Sequence, residues 1–209
     1  MWTDESREFT TSPIGSVPHW KVTHSNNEIH AILSAAQFAA DKHANQRRKG
    51  KVGEPYINHL IEVAQLVSGA LAEPDTNLVI AALLHDSIED VGVTRDELVQ
   101  RFGPDVADLV AEVTDDKSLP KKERKRLQVE NARKKSVRAQ MIKQADKISN
   151  LRSILSSPPA DWDFQRKQEY FEWAKNVVDG LMAPNPVLQA EFQRTLRMFD
   201  EVVRPAAPE

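Results

Sequence analysis

The run Leu78-Val-Ile-Ala-Ala-Leu-Leu84 is apolar at every position and leads straight into His85-Asp-Ser-Ile-Glu-Asp90. A helix this apolar has to be covered, and the fold that covers it must also find partners for the imidazole and carboxylates at its end. A divalent metal is a natural partner for such a set. If the helix continues, Glu89 lies over His85 and Asp90 over Asp86, each pair four residues apart on one surface. His85 then offers an imidazole nitrogen and Asp86 an oxygen, while Glu89 and Asp90 stand where the proton of an activated water could be taken. Taken alone, the hexamer also reads as a last helical turn with solvated acids.

Two further segments have the same character. Glu54-Pro-Tyr-Ile-Asn-His59 opens an amphipathic helix with a histidine in its first turn. In Gln144-Ala-Asp-Lys-Ile-Ser-Asn-Leu-Arg152 a lone Asp146 stands on an apolar face with Met141, Ile142, Ile148 and Leu151. A charge on such a face is expensive unless it is paired or bound to metal.

Helical signals continue from Ile29 onward. Helix one covers about 29–44, with Ala31, Ala35 and Ala39 spaced for close packing, and a Gly/Pro loop at 50–55 leads to helix two, about 57–70. Asp75 caps a third helix, Thr94 and Glu97 form a capping box for a short fourth, and Gly103-Pro104 separates that from a fifth. Pro120 opens a basic sixth helix to about Lys134, the seventh carries Asp146, the eighth Tyr170, and the ninth runs from Pro184 to about Val203. No run alternates as a strand does, and the one hairpin candidate is short, at 47–53. The expected fold is an all-α helical bundle of about nine helices.

Residues 1–27 lack a clear period and carry Trp2, His19, Trp20 and His24; they read as an N-terminal extension, flexible or loosely docked, with a strand or an oligomer contact as alternatives. The folded domain is expected over 28–203, with 204–209 as a tail. At 209 residues, 40% hydrophobic and 28% charged, the chain suits one soluble domain. A net charge of −3 gives no mandate for nucleic acid. The lack of cysteine excludes disulfides and thiolate chemistry and is compatible with the expected cytoplasmic location. No apolar run approaches the ~20 residues that span a bilayer, and Asp4, Glu5 and Glu8 argue against a secretory signal.

The strings Ala36-Gln-Phe-Ala-Ala-Asp-Lys-His43, Gln46-Arg-Arg-Lys49, Glu54 to His59, Ala81-Ala-Leu-Leu-His-Asp86 with Glu89-Asp90, Glu112-Val-Thr-Asp-Asp-Lys117, Glu123 to Glu130, Ala145 to Arg152 and Gln168-Glu-Tyr-Phe-Glu-Trp-Ala174 occur in an order that resembles the hydrolase domain of the RelA/SpoT family, within the HD phosphohydrolases. The nearest likeness is to the stand-alone small alarmone hydrolases of metazoan SpoT-homologue type. Leu60 stands where the family usually has proline after the histidine; leucine continues a helix more readily, so only the helix entry is expected to differ.

The resemblance implies an HD-domain bundle in which His59, His85, Asp86 and Asp146 hold one divalent ion, Mn²⁺ by analogy, with other divalent metals compatible. Glu89 and Asp90 would orient the attacking water and handle its proton. Arg48 and Lys49 would flank the base, Asn150 the sugar or base, and Tyr170 the ribose or 5′ phosphates, with Arg166 in reach of a phosphate. The implied reaction removes the 3′-pyrophosphate of guanosine tetra- or pentaphosphate without any synthetase activity. The alternatives are a 2′-phosphatase acting on NADPH at the same site and a non-catalytic nucleotide sensor. The expected partner is a small nucleotide, with no nucleic acid and no membrane. His43 reads as a packing or supporting residue, and His19, His24 and His30 as surface. Phe171 and Trp173 read as core, and the basic run Lys117–Arg126 as a solvated face or the rim of a phosphate pocket.

Overall fold

The computed structural model describes residues 26–202. The N-terminal extension up to residue 25, with His19 and His24, and the tail from residue 203 lie outside the described residues. The elements are α1 (Asn26–Lys42), α2 (Ile57–Gly69), α3 (Thr76–Leu84), α4 (Ser87–Val91), α5 (Arg95–Phe102), α6 (Pro104–Val113), α7 (Lys121–Asn131), a 3₁₀ turn (Ala132–Lys134), α8 (Val137–Ser156), α9 (Phe164–Asp179) and α10 (Pro186–Val202). The nine expected helices are all present, and the hairpin candidate is reduced to a single bridge between Arg47 and Pro55.

Two helices form the centre. In α3 every residue from Leu78 to Leu84 is buried, because α1, α2 and α6 pack around it. Asp75 starts that helix by accepting the Leu78 N–H at 3.0 Å. The other central helix is α8, flanked by α2, α6, α9 and α10. Its Ile142, Ile148 and Leu151 are fully buried, each worth about 1.5–3 kcal/mol of transfer free energy. The same helix buries Gln140, Gln144, Asp146, Lys147 and Ser149, so this core contains a polar seam. Gln144 stitches the seam to the chain before α10: its carbonyl accepts the Asn185 N–H at 3.1 Å and its amide donates to Gln189 at 2.8 Å. Of the three alanines spaced for close packing in α1, Ala35 and Ala39 are fully buried and Ala31 only partly.

The tenth helix arises from a break. The helix expected to run through the charged hexamer stops at Leu84, and Asp86 takes φ −101° and ψ 0° before α4 begins. Ser87 stabilises the interruption by donating its hydroxyl to the Leu84 carbonyl, and Gly92, at φ 69°, closes α4 in the left-handed conformation. The turn of chain direction brings His85 and Asp86 side by side in place of a continuous helical face.

Candidate metal centre

Four side chains from α2, from α8 and from the break after α3 converge. His59 Nε2 lies 3.4 Å from Asp146 Oδ1 and 3.6 Å from Asp86 Oδ2. His85 Nε2 lies 3.2 Å from Asp86 Oδ2 and 3.9 Å from Asp146 Oδ1. The imidazole rings sit edge to face at 5.1 Å. His59, His85 and Asp146 are buried, and one donor atom from each falls within 4.8 Å of the others.

Hydrogen bonds to the far side of each ring decide which nitrogen faces inward. His85 Nδ1 is 2.8 Å from the Ala82 carbonyl oxygen, which only accepts, so Nδ1 carries a proton and Nε2 is the nitrogen turned toward the carboxylates. The Nε2 atoms of His59 and His85 are both buried without a hydrogen-bond partner, and both face carboxylates. Two inward imidazole nitrogens and two carboxylates make a donor set that suits a divalent cation, which binds in place of any proton on those nitrogens.

The carboxylates are held in turn. Tyr56 donates its hydroxyl to Asp86 Oδ2 at 2.7 Å. Lys147 donates to Asp146 Oδ2 at 2.8 Å and Asn150 to Asp146 Oδ1 at 2.5 Å. Burial opposes ionisation of Asp86 and Asp146, yet the His85 charge for Asp86 and the Lys147 charge for Asp146 hold both well below the usual carboxylate range. Burial likewise opposes a charge on His85, but the Asp86 and Asp146 carboxylates outweigh it and lift its pKa to about 10. The cluster therefore attracts positive charge strongly, whichever cation supplies it.

An open cleft of about 490 Å³ runs beside the centre, within the range of ligand pockets. Tyr56 and Asn150, which contact the centre, line it together with Glu89 and Asp90. Asp90 accepts from Gln46 at 2.8 Å and pairs with Lys117. Glu89 accepts the Asp115 N–H and an Arg124 N–H, each at 3.2 Å. Burial, then the nearby Asp115 and Asp86 charges, raises the Glu89 pKa. Arg48 donates to Asn150 at 3.2 Å and lies 5.9 Å from the Tyr56 ring centre. Lys49 and Tyr170 also line the cleft. Arg166 does not: it pairs with Asp161 at 3.3 Å and lies over the Trp162 ring.

Several contributors were not legible in the sequence. Within the basic run, Lys117, Lys121, Arg124 and Lys125 line the cleft, while Glu123 and Arg126 pair with each other at the surface. Trp173 is half-buried in the cleft wall and not in the core, because it lies three residues from Tyr170 on the same face of α9; Phe171 alone of that pair is core. Lys125 Nζ stands 4.4 Å from the Trp173 ring and 4.8 Å from that of Tyr170. Partial burial and the Lys121 and Lys147 charges bring its pKa down to about 8. Tyr56 and Ser149 lie inside the recurring motifs but had no assigned part. His43 is buried and stacked on Tyr56 at 5.4 Å, and its Nδ1 meets Gln46 at 2.5 Å, so it supports Gln46 from outside the metal cluster. His30 is exposed.

An all-helical fold closed around a buried His–Asp centre is the architecture of an HD-domain protein, and the model of the HD domain family matches residues 35–170. The guanosine-3′,5′-bis(diphosphate) 3′-pyrophosphohydrolase MESH1 of Xenopus tropicalis is 50% identical over 161 residues, 77% of this chain and 90% of the frog protein. The human protein of the same name is 50% identical over 171 residues, covering 82% and 96%. Among solved structures, a metazoan ortholog of SpoT that hydrolyzes ppGpp and plays a role in starvation responses superposes with a TM-score of 0.78 at 44% identity, over 84% of this chain and 97% of that one. The chain belongs to the HD-domain family, in the branch of stand-alone metazoan-type SpoT homologues.

Proposed function

We infer that the chain is a guanosine-3′,5′-bis(diphosphate) 3′-pyrophosphohydrolase. It cleaves the ester between the ribose 3′ oxygen and the pyrophosphate of guanosine tetra- or pentaphosphate, giving GDP or GTP and pyrophosphate. The observation that carries this reading is one of placement: the His–Asp centre opens beside a cleft lined by Arg47, Arg48, Lys49, Lys117, Lys121, Arg124 and Lys125 on a chain of net charge −3. So many cations gathered at one cleft of an acidic protein fit a substrate with phosphates at both ends of its ribose.

In our reading His59, His85, Asp86 and Asp146 hold one divalent ion, which we propose to be Mn²⁺; the same nitrogen and oxygen donors suit Fe²⁺, Co²⁺ or Zn²⁺. Such an ion, when bound, supplies Lewis acidity at a phosphoryl oxygen and lowers the pKa of water. Glu89, whose pKa is raised, is the residue best prepared to take the water's proton. Asp90, fixed by Gln46 and Lys117, orients that water. Hydroxide joins the phosphorus, the bond to the 3′ oxygen breaks, and the proton held by Glu89 passes to the leaving oxygen. Arg48 presents its guanidinium plane to the base, with Lys49 beside it, and Asn150 bonds the ribose or base. Tyr170, Lys121, Arg124 and Lys125 take the ribose and the 5′ phosphates. Arg166 stands outside this set.

The test is steady-state hydrolysis of guanosine tetraphosphate and NADPH, side by side, by the Mn²⁺-loaded protein. Pyrophosphate release at a much higher kcat/KM for the guanosine substrate is expected. A preference for NADPH would make the protein a cofactor phosphatase on the same site, and turnover of neither would leave a nucleotide sensor.

A further inference from the structure

The two inward-facing histidines are oriented by different means. His85 is fixed by a backbone carbonyl, which no side-chain substitution removes. His59 is not: its Nδ1 lies 2.8 Å from Ser149 Oγ, and that same oxygen lies 2.7 Å from Glu62 Oε2. The other Glu62 oxygen pairs with Arg152 at 3.3 Å, and Arg152 also binds Glu191 of α10. A carboxylate paired with an arginine accepts hydrogen bonds and donates none, so the Ser149 hydroxyl donates to Glu62. Its oxygen is then left to accept from His59 Nδ1–H, so the neutral ring carries its lone pair on Nε2, facing Asp86 and Asp146.

We propose that Ser149 and Glu62 are positioning residues that set the tautomer of His59 and hold its ring toward the centre. This rests on the reading of His59 as a metal ligand. Neither side chain lines the substrate cleft: Ser149 and Glu62 line a neighbouring cavity between α2, α8 and α10, which meets the cleft at Arg48 and Ser153. The relay ends at the half-exposed Glu62, so its charge can be altered without opening the core. A glutamine at position 62 carries an amide that donates to Ser149 Oγ. That turns the hydroxyl proton toward His59, favours the proton on Nε2, and removes the inward lone pair.

The experiment combines ¹H–¹⁵N NMR of the histidine rings with Mn²⁺ affinity by competition against a chelator, on the full chain and the variants Glu62→Gln, Ser149→Ala and His59→Ala. The expected wild-type ring is Nδ1-protonated at His59. Glu62→Gln and Ser149→Ala should shift or mix the tautomer and weaken Mn²⁺ binding about 10–100-fold, with circular dichroism unchanged. Glu62→Asp, which keeps the carboxylate, should recover part of the loss. An Nε2-protonated His59 in the wild type overturns the proposal. So does wild-type Mn²⁺ affinity in Glu62→Gln and Ser149→Ala when His59→Ala has lost it, an outcome that leaves the metal site itself standing. If the wild type binds no divalent ion, the metal reading fails and this proposal fails with it.

Discussion

At the scale of single residues, the centre depends on what stands behind its ligands. Tyr56 donates its hydroxyl to Asp86 at 2.7 Å, and its ring also packs against Arg48 and His43. Tyr56→Phe keeps the packing and deletes one hydrogen bond. Loss of such a partner to a ligand costs about 10-fold or more in metal affinity, so kcat at limiting Mn²⁺ should fall and recover as Mn²⁺ is raised. Titrating the variant with metal checks this, and wild-type behaviour throughout would remove Tyr56 from the site. Lys125 gives a second prediction, on pH. With a pKa brought down to about 8, it is charged below that value and neutral above it. KM for guanosine tetraphosphate should therefore rise as pH passes from 7 to 9, while the KM of Lys125→Met should already be high at pH 7 and nearly flat. A wild-type KM that ignores pH over this range would take Lys125 out of phosphate binding.

At the scale of elements, the break between α3 and α4 is the feature that makes the centre. A continuous helix would have stacked Glu89 over His85; the interruption turns His85 and Asp86 toward α2 and α8 and leaves Glu89 and Asp90 to the cleft. Gly92 closes α4 at φ 69°, a conformation that costs an L residue about 1–2 kcal/mol, and no atom lies within 4 Å of where a Cβ would stand. Gly92→Ala should lower stability by about 1 kcal/mol through backbone strain alone, read from urea unfolding, with metal stoichiometry retained. A loss above about 3 kcal/mol would mean that the substitution undoes the break itself. The basic α7 belongs to the same scale. Its composition marks it as a charged face, but only its position against α9 turns Lys121, Arg124 and Lys125 into the cleft and leaves Glu123 and Arg126 paired at the surface.

At the scale of the whole molecule, the centre joins α2, the α3–α4 break and α8, three segments far apart in the chain. A cation bound there binds the folded chain and not the unfolded one. At a hundred-fold excess over its Kd that stabilises by about 2.7 kcal/mol, and a domain of this size shifts by ~2–4 °C per kcal/mol. Removing the metal with a chelator should therefore lower Tm by roughly 5–10 °C. An unchanged Tm, with metal demonstrably removed, would mean that the cluster is stable on its own internal pairs.

The all-helical architecture, the helix starts at Asp75 and Thr94, the helices carrying His59 and Asp146 and the one that ends at His85 were legible in the sequence. Periodicity, capping and the placement of a charge on an apolar face are local properties, expressed within a few turns of one helix. The order of the motifs added the family and, with it, the expected chemistry. Tertiary structure alone decided which neighbour each polar group meets. Ser149 reaches His59 across 90 residues and Glu62 across 87. The same is true of the break at Asp86, of Trp173 in the cleft wall and of Arg166 outside it. A sequence pattern says that a face is buried or charged, but the partner across the gap is set by how helices pack, and in this protein that packing fixes which way each side chain of the centre points.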